Sequence, residues 1–567
     1  MQEIWQALNQ NSRRQLVLLL LGGLGLRSAI ALWLPPGFDE AYYYLYTRHL
    51  DWSYFDHPLM VALTTGFGIW LTGDVSQFTI RLGSLLLYTA SLLLLYRTSA
   101  HLFSQKAGVL TVSIASLIPI FFLGFGTLTL PDSPLIFFWT ATLYLATHEF
   151  FPSSPFLLPP SSLSYSPTPR LALLGLLVGL ACLSKYHGLA LGFGLLGFCL
   201  TSPLHRVALR SPWLVAGLGL FLLAIAPILV WNMQHDWVSL RFQSGRAVPD
   251  RGYNLLDLLV TFLAGVGYLF PSFGFPLWWV CLKKQGRGQR AEGRRTGEGE
   301  DRKTEGRNFK LRVSTSHLSP STCLLPSPLP LSFLLWLSLP LMLGFTLMGG
   351  YRSILPTWAA PGFWSATLLL GQRAAIWQAQ CPKLVRRWLW GSGLVIVTLL
   401  LVVLSHVTVG TLQQPGRYAL LGGILPPSQD ASVQLLDIQQ LRRGFQTSPA
   451  LRDALETTEF LFTNDLFLAG QVGMAVAPLT SNPVTCFSHD LRGFAFWSEF
   501  DRWPGQDGLL ITTAGQAEAA IDQYRAYFDT IQKLADLPIQ RGGTVIQMLQ
   551  VYRSTKLLQP YPRPYGL

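Results

Sequence analysis

The chain has 567 residues, of which 50% are hydrophobic and only 13% are charged, whereas a soluble domain carries roughly 25% charged residues. These proportions exclude an ordinary soluble enzyme and indicate an integral membrane protein. The net charge of +12 does not call for nucleic acid. Much of the excess lies in one run between two apolar blocks, KKQGRGQRAEGRRTGEGEDRKTEGRNFKLR from Lys283 to Arg312, the composition of a disordered cytoplasmic loop, predicted over 283–325.

The first apolar run, Leu16 to Leu34, is about the length that spans a ~30 Å hydrocarbon core. It lacks the small-residue cleavage pattern of a removable signal peptide. A polar and aromatic loop follows over 35–77, in which Leu59 to Leu71 is long enough only for a re-entrant or interfacial helix. Further spanning segments are predicted at 78–96, 107–124, 133–150, 171–184, 188–201, 213–231, 256–281, 328–348, 354–371 and 388–409, about eleven crossings in all. Arg13, Arg14, Arg97, Lys106, Arg170, Arg206, Arg210, the 283–312 run, Arg373, Lys383, Arg386 and Arg387 fall on one side when the N-terminus is cytoplasmic. An odd number of crossings then puts the C-terminus outside.

From about Gln413 the composition becomes that of a soluble domain. EFLFTND (459–465), NPVTCFS (482–488), GLLITTA (508–514) and GTVIQMLQVY (543–552) read as strands, alternating with the helical stretches LAGQVGMAV and QAEAAIDQYRAYF. The expected architecture is mainly α: a transmembrane domain over 1–410, followed by a small extracytoplasmic α/β domain over 411–567. The six cysteines are scattered without a CxxC, so neither a disulfide framework nor a zinc site is implied.

The same threading gathers the unusual polar segments on the extracytoplasmic face: DEAYYYLYTRHLDWSYFDHP (39–58), TLTLPDSP (127–134), LSKYHG (183–188), WNMQHDWVSLRFQ (231–243) and GGYRSILPTW (349–358). Asp39 and Asp132 each stand at a helix end beside Gly or Pro, where a carboxylate can act as general base or bind a hard cation. Glu40 and Asp51 are equally compatible with solvated loop positions. Lys185 interrupts an apolar stretch, and its ammonium either snorkels to the headgroups or clamps a phosphate together with Arg352 and Arg241 or Arg246. His57, His187 and His235 share these loops without a metal-ligand spacing. The tyrosines from Tyr42 to Tyr54 suit an interfacial belt, with some free to stack on sugar. No Walker A, GxSxG, HExxH or DxD pattern occurs, and no GxGxxG stands before a helix, which leaves ATPases, dinucleotide enzymes and serine hydrolases without support.

Taken together, FDEAYYYLYTRHLDWSYFDHPLMVALT, RLGSLLLY, LTLPDSPLIFFW, GLACLSKYHGLAL, WNMQHDWVSLRFQ, GGYRSILPTWAAPGFW, LFTNDLFLAGQVGMAV and GQDGLLITT resemble the GT-C membrane glycosyltransferases. The likeness is to glycosyltransferase family 39, which includes protein O-mannosyltransferases and aminoarabinose transferases, and to its RgtA/B/C/D-like branch. The resemblance implies an inverting transferase that takes a sugar from a polyprenyl-phosphate donor to a lipid, glycan or protein acceptor at the extracytoplasmic face of the cell membrane. It implies Asp39 as catalytic carboxylate, and Glu40, Asp56, His57 and Asp132 on the acceptor or metal side. Lys185, Arg352, Arg241 and Arg246 would hold the donor phosphate, with a divalent cation at Asp39 and Asp56 as an optional partner. Thr357 before Trp358 departs from the Asn-Trp of many relatives. The alternative reading is a flippase or transporter of a lipid-linked glycan, for which central intramembrane charges and internal repeats would be the signature.

Overall fold

A computed structural model describes residues 10–152, 165–246, 248–283, 328–563 and 565. The predicted disordered loop lies, except for Lys283, outside the described residues. Helix α1, Gln10–Trp33, ends where Pro35 and Pro36 cannot continue it. The first loop then holds α2, Phe38–Arg48, and α3, Met60–Thr72. Next come α4, Leu82–Leu102; α5, Gln105–Leu117; a π-helical turn, Ile120–Phe125; α6, Asp132–Phe150; α7, Arg170–Ser184; α8, Gly188–Thr201; and α9, Pro212–Gln234. They are followed by α10, Val238–Gly245; α11, Leu255–Tyr268; α12, Pro271–Leu282; α13, Pro328–Trp336; α14, Leu339–Met348; α15, Ala360–Gln380; and α16, Pro382–Val409.

Every segment predicted to span is helical, but length and apolarity qualify five spans: Gln10–Trp33, Thr79–Leu102, Pro212–Gln234, Leu329–Met348 and Pro382–Val409. A sixth results if α11 and α12 count as one. The chain is a multi-pass membrane protein. One expectation needs correction: 256–281 is not a single straight span, because α11 and α12 meet at 113°. Pro271 opens α12 and Phe270 before it takes a φ of 67°, so the hydrogen-bond ladder cannot run through the joint. The apolar runs pack about a core formed by Leu92, Leu95, Val112, Ile136, Trp139 and Trp364, all fully buried. α4 lies in the middle of the bundle, with 61% of its apolar window buried, whereas α9 and α16 bury only 17% and turn most of their surface outward.

The C-terminal region contains α17, Ile438–Thr447; α18, Pro449–Thr457; β1, Phe460–Thr463; α19, Leu466–Val476; β2, Val484–Cys486; α20, Phe494–Trp497; β3, Gly508–Thr513; α21, Ala517–Tyr524; β4, Phe528–Arg541; and β5, Thr544–Leu557. The sheet order is β2-β1-β3-β5-β4. β1 pairs in parallel with β2 and β3, while β5 runs antiparallel to β3 and β4. All four segments read as strands contribute to it. The stretch QAEAAIDQYRAYF is helical only to Tyr524, and Phe528 already starts β4, an unforeseen edge strand that tolerates Pro538 and its many exposed polar residues. Helix α19 is buried on nearly every side because the sheet lies to one side of it and α2 to the other. The approach is close: a Cβ on Gly470 would stand 2.8 Å from the Tyr42 nitrogen.

Candidate active site

The site begins where α1 gives way to α2. Gly37 adopts extended backbone angles as N-cap, and its N–H donates to Oε2 of Glu40 at 2.8 Å. Glu40 is also gripped at both oxygens by Arg81, with Nε at 2.8 Å and Nη2 at 2.6 Å, while the Thr129 N–H donates to Oε1 at 2.8 Å. Four donors fill its acceptor capacity. Arg81 further donates to the carbonyls of Ala31, Leu34 and Pro35. Glu40, expected on the acceptor or metal side, is therefore committed to stapling α1, α2 and α4, and no oxygen is left for a ligand.

That staple fixes Asp39 one position earlier, in the first turn of α2, where the helix N-terminus favours negative charge. Asp39 is partly accessible, and no hydrogen bond occupies its carboxylate among the described residues. Its carboxyl is pushed up to about 6, first by burial and then by Asp56, against the opposing pull of Arg492 and Lys185. A carboxyl with this affinity is half ionised at about pH 6 and mostly a carboxylate, able to accept a proton, at neutrality.

Asp56 and His57 sit in a turn closed by the Ser53–Pro58 bridge. Asp56 is 2% exposed. Its Oδ1 accepts from the Tyr46 hydroxyl, and its Oδ2 lies 3.2 Å from Nη1 of Arg492. His57 packs edge-on against Tyr43, with ring centroids 5.5 Å apart. Burial, with Lys185, Arg246 and Arg492 nearby, holds its imidazole neutral well below the usual range. Among the described residues, its Nδ1 and both ring nitrogens of His187 are buried without partners.

Asp132 opens α6, and Lys185 caps the end of α7 in an extended conformation. They meet: Nζ of Lys185 lies 2.9 and 2.8 Å from the two Asp132 oxygens. Lys185 thus has a carboxylate for a partner and does not reach for headgroups. Arg352 donates through Nη1 to the carbonyls of Gly245 and Val248, both at 3.0 Å, and pins the loop that carries Arg246. Arg246 lies over the Phe242 ring at 4.2 Å and pairs with no carboxylate among the described residues. Burial and the like charge of Arg492 lower its proton affinity. Arg241 is exposed, and no ion pair ties it to this cluster among the described residues. His235 stacks on Trp231 at 4.1 Å.

The participant that sequence reasoning missed is Arg492. It lies between β2 and α20, at a φ of 40° that a non-glycine residue rarely adopts. Asp490 holds its Nε at 3.2 Å, and its guanidinium lies 5.9 Å from the same Phe242 ring that carries Arg246. The neighbouring Gly493 N–H donates to the Tyr42 hydroxyl at 3.0 Å. Two arginines from distant parts of the chain thus share one aromatic ring above Asp56. For the optional divalent cation the fit is poor. Among the described residues no three His, Cys, Asp or Glu side chains converge to hold a metal, and both oxygens of Asp56 are already engaged.

Residues 56–152 and 162–231 match the family model described as dolichyl-phosphate-mannose-protein mannosyltransferase. Lipid A galacturonosyltransferase RgtD of Rhizobium johnstonii is 26% identical over 362 residues, which is 63% of this chain and 63% of that protein. The chain therefore spans a little under two thirds of the length of the curated relative it matches. Across nearly its whole length it superposes on ArnT from Cupriavidus metallidurans in the apo state, at a TM-score of 0.55 and 13% identity, covering 94% of this chain and 97% of that one. The chain has the GT-C fold. ArnT from the same organism bound to undecaprenyl phosphate matches with a TM-score of 0.52 at the same coverage. Within this GT-C fold, Asp56, His57, Asp132 and Lys185 lie inside the family match and Asp39 just ahead of it, while Arg492 lies far beyond its end.

Proposed function

We propose that this protein transfers a sugar from a polyprenyl-phosphate-linked donor to an acceptor at the extracytoplasmic membrane face, with inversion at the anomeric carbon. The observation that carries this reading is Asp39: a carboxylate without a hydrogen-bond partner among the described residues, fixed by the Glu40–Arg81 staple and raised to about 6, beside a group of cations. Asp39 takes the proton from the acceptor's nucleophile as that atom attacks the anomeric carbon, and the carbon–oxygen bond to the phosphate breaks on the opposite side.

The leaving phosphate gains negative charge, which Arg246 and Arg492 are positioned to neutralise. The neutral imidazoles of His57 and His187 each carry one N–H that can donate to the phosphate, next to buried ring nitrogens without partners among the described residues. Lys185 contributes as a fixed positive charge behind Asp132. No step in this reading passes through a metal. The similarity to ArnT bound to undecaprenyl phosphate supports a lipid-linked donor, the similarity to a lipid A galacturonosyltransferase supports a glycosyl transfer, and the acceptor class is a lipid, glycan or protein.

The test is incubation of the purified protein in lipid vesicles with a polyprenyl-phosphate sugar labelled in the sugar, plus envelope lipid and glycan extracts. Transfer of label from carrier to acceptor supports the reading. Label that crosses the bilayer while still attached to its carrier would support the flippase alternative and sink this one.

A further inference from the structure

Directly after α16 the chain forms a closed loop with an apolar tip. Gly410 ends the helix at a φ of 80°. Residues 411–425 then fold back on themselves: the Gln414 N–H donates to the Leu425 carbonyl at 2.8 Å, those of Ile424 and Leu425 to the Leu412 carbonyl at 2.9 and 2.8 Å, and that of Leu420 to the Thr411 carbonyl at 2.8 Å. At the turn, Leu421, Gly422 and Gly423 all have positive φ, at 53°, 84° and 80°. This conformation throws Leu421 fully into the surroundings, with 102% relative exposure, beside Leu420 at 61% and Ile424 at 68%. The Arg417 guanidinium lies over the Tyr418 ring at 5.6 Å on the flank of this tip.

The loop's other side is held against the sheet. A Cβ on Gly542, in the turn between β4 and β5, would stand 2.3 Å from the Val409 carbonyl and 3.0 Å from the Tyr418 ring. Behind it, buried Asp430 binds Nη1 of Arg541 at 3.0 Å and Nε2 of His406 at 3.1 Å. The end of α16, the loop and the β4–β5 hairpin are thereby one joint.

We propose that the 411–425 loop is an interfacial anchor, with Leu420, Leu421 and Ile424 inserted into the lipid leaflet at which α16 ends. The occupant is lipid because the tip continues, past the last helical turn, a span that turns most of its surface outward. A Tyr–Arg pair at its edge is the side-chain chemistry of the headgroup layer. Anchored this way, the loop fixes the height of the sheet, and with it Arg492, above the membrane. The inference rests on α16 spanning the bilayer and not on the transferase reading, so the two fail separately.

The test uses the full-length chain in vesicles of phosphatidylethanolamine and phosphatidylglycerol, with Leu421→Cys carrying an environment-sensitive fluorophore and Cys323 and Cys381 replaced by serine. The expected result is blue-shifted emission, quenched by lipids bearing a nitroxide at shallow acyl positions, about 5–10 Å deep. The same label at exposed Asp529 in β4 should give watery, unquenched emission. Ile424→Cys repeats the measurement if the first variant does not fold. Unshifted emission at 421 and 424, or a blue shift that lipid nitroxides do not quench because protein covers the tip, would overturn the proposal.

Discussion

Nη1 of Arg492 lies 3.2 Å from Oδ2 of Asp56, across 436 positions of sequence. One residue comes from the loop after the first helix, the other from the sheet-bearing region near the C-terminus. Through Asp56 and its own charge, Arg492 acts on Asp39, which stands beside both. The proposed base therefore has a proton affinity set jointly by the two parts of the chain.

The rate of transfer should rise with pH through about 6 as Asp39 ionises. Asp56→Asn removes the charge that raises Asp39, so the acid limb should move to lower pH. Arg492→Gln removes the charge that lowers it, so the limb should move up. Single-turnover rates across pH check the signs; two variants moving the limb the same way would contradict the assignment.

Asp39→Asn should cut the transfer rate roughly 10²–10⁴-fold, the usual contribution of a general base. It should also stabilise the fold at neutral pH. A carboxyl whose folded pKa is raised from 3.8 to about 6 favours the folded state when protonated, and that advantage is lost as pH rises through the folded value. Thermal unfolding at neutral pH, compared with unfolding below the unperturbed carboxyl range where the gain vanishes, measures this.

Arg81→Ala leaves Glu40 buried with only the Gly37 and Thr129 amides as donors. Both partners are essentially inaccessible, at 0% and 1% exposure, and breaking such a pair costs roughly 3–5 kcal/mol. A large fall in unfolding temperature is expected, with transfer lost alongside it.

Gly470→Ala should separate α19 from α2, because its Cβ would press into the Tyr42 backbone. That contact seats the region carrying Arg492 over Asp56. Transfer activity should drop, and crosslinking between cysteines placed on α2 and α19 should slow. Wild-type activity with unchanged crosslinking would show that the contact yields easily.

Much of this was legible in the sequence for one reason: polar residues are conspicuous among apolar ones. Asp132 stands beside proline at the head of an apolar run and Lys185 interrupts another, and the structure joins them. Arg492 left no such signal, since an arginine in a polar region is unremarkable and its partner is remote in sequence. Glu40 was visible as a charge, but its role depends on Arg81 and on the Thr129 amide, which only folding assembles. The bend between α11 and α12 was hidden because hydropathy registers apolar length and ignores the direction change at Phe270 and Pro271. Strand β4 escaped notice because an edge strand has one wet side and needs little apolar patterning.

The most direct measurement is single-turnover transfer of labelled sugar from a polyprenyl-phosphate carrier, comparing the wild-type protein with Asp39→Asn in the same vesicles, with donor binding measured in parallel. The account predicts that both bind donor and only the wild type moves the label to acceptor at an appreciable rate. Equal transfer rates with equal donor binding would contradict it.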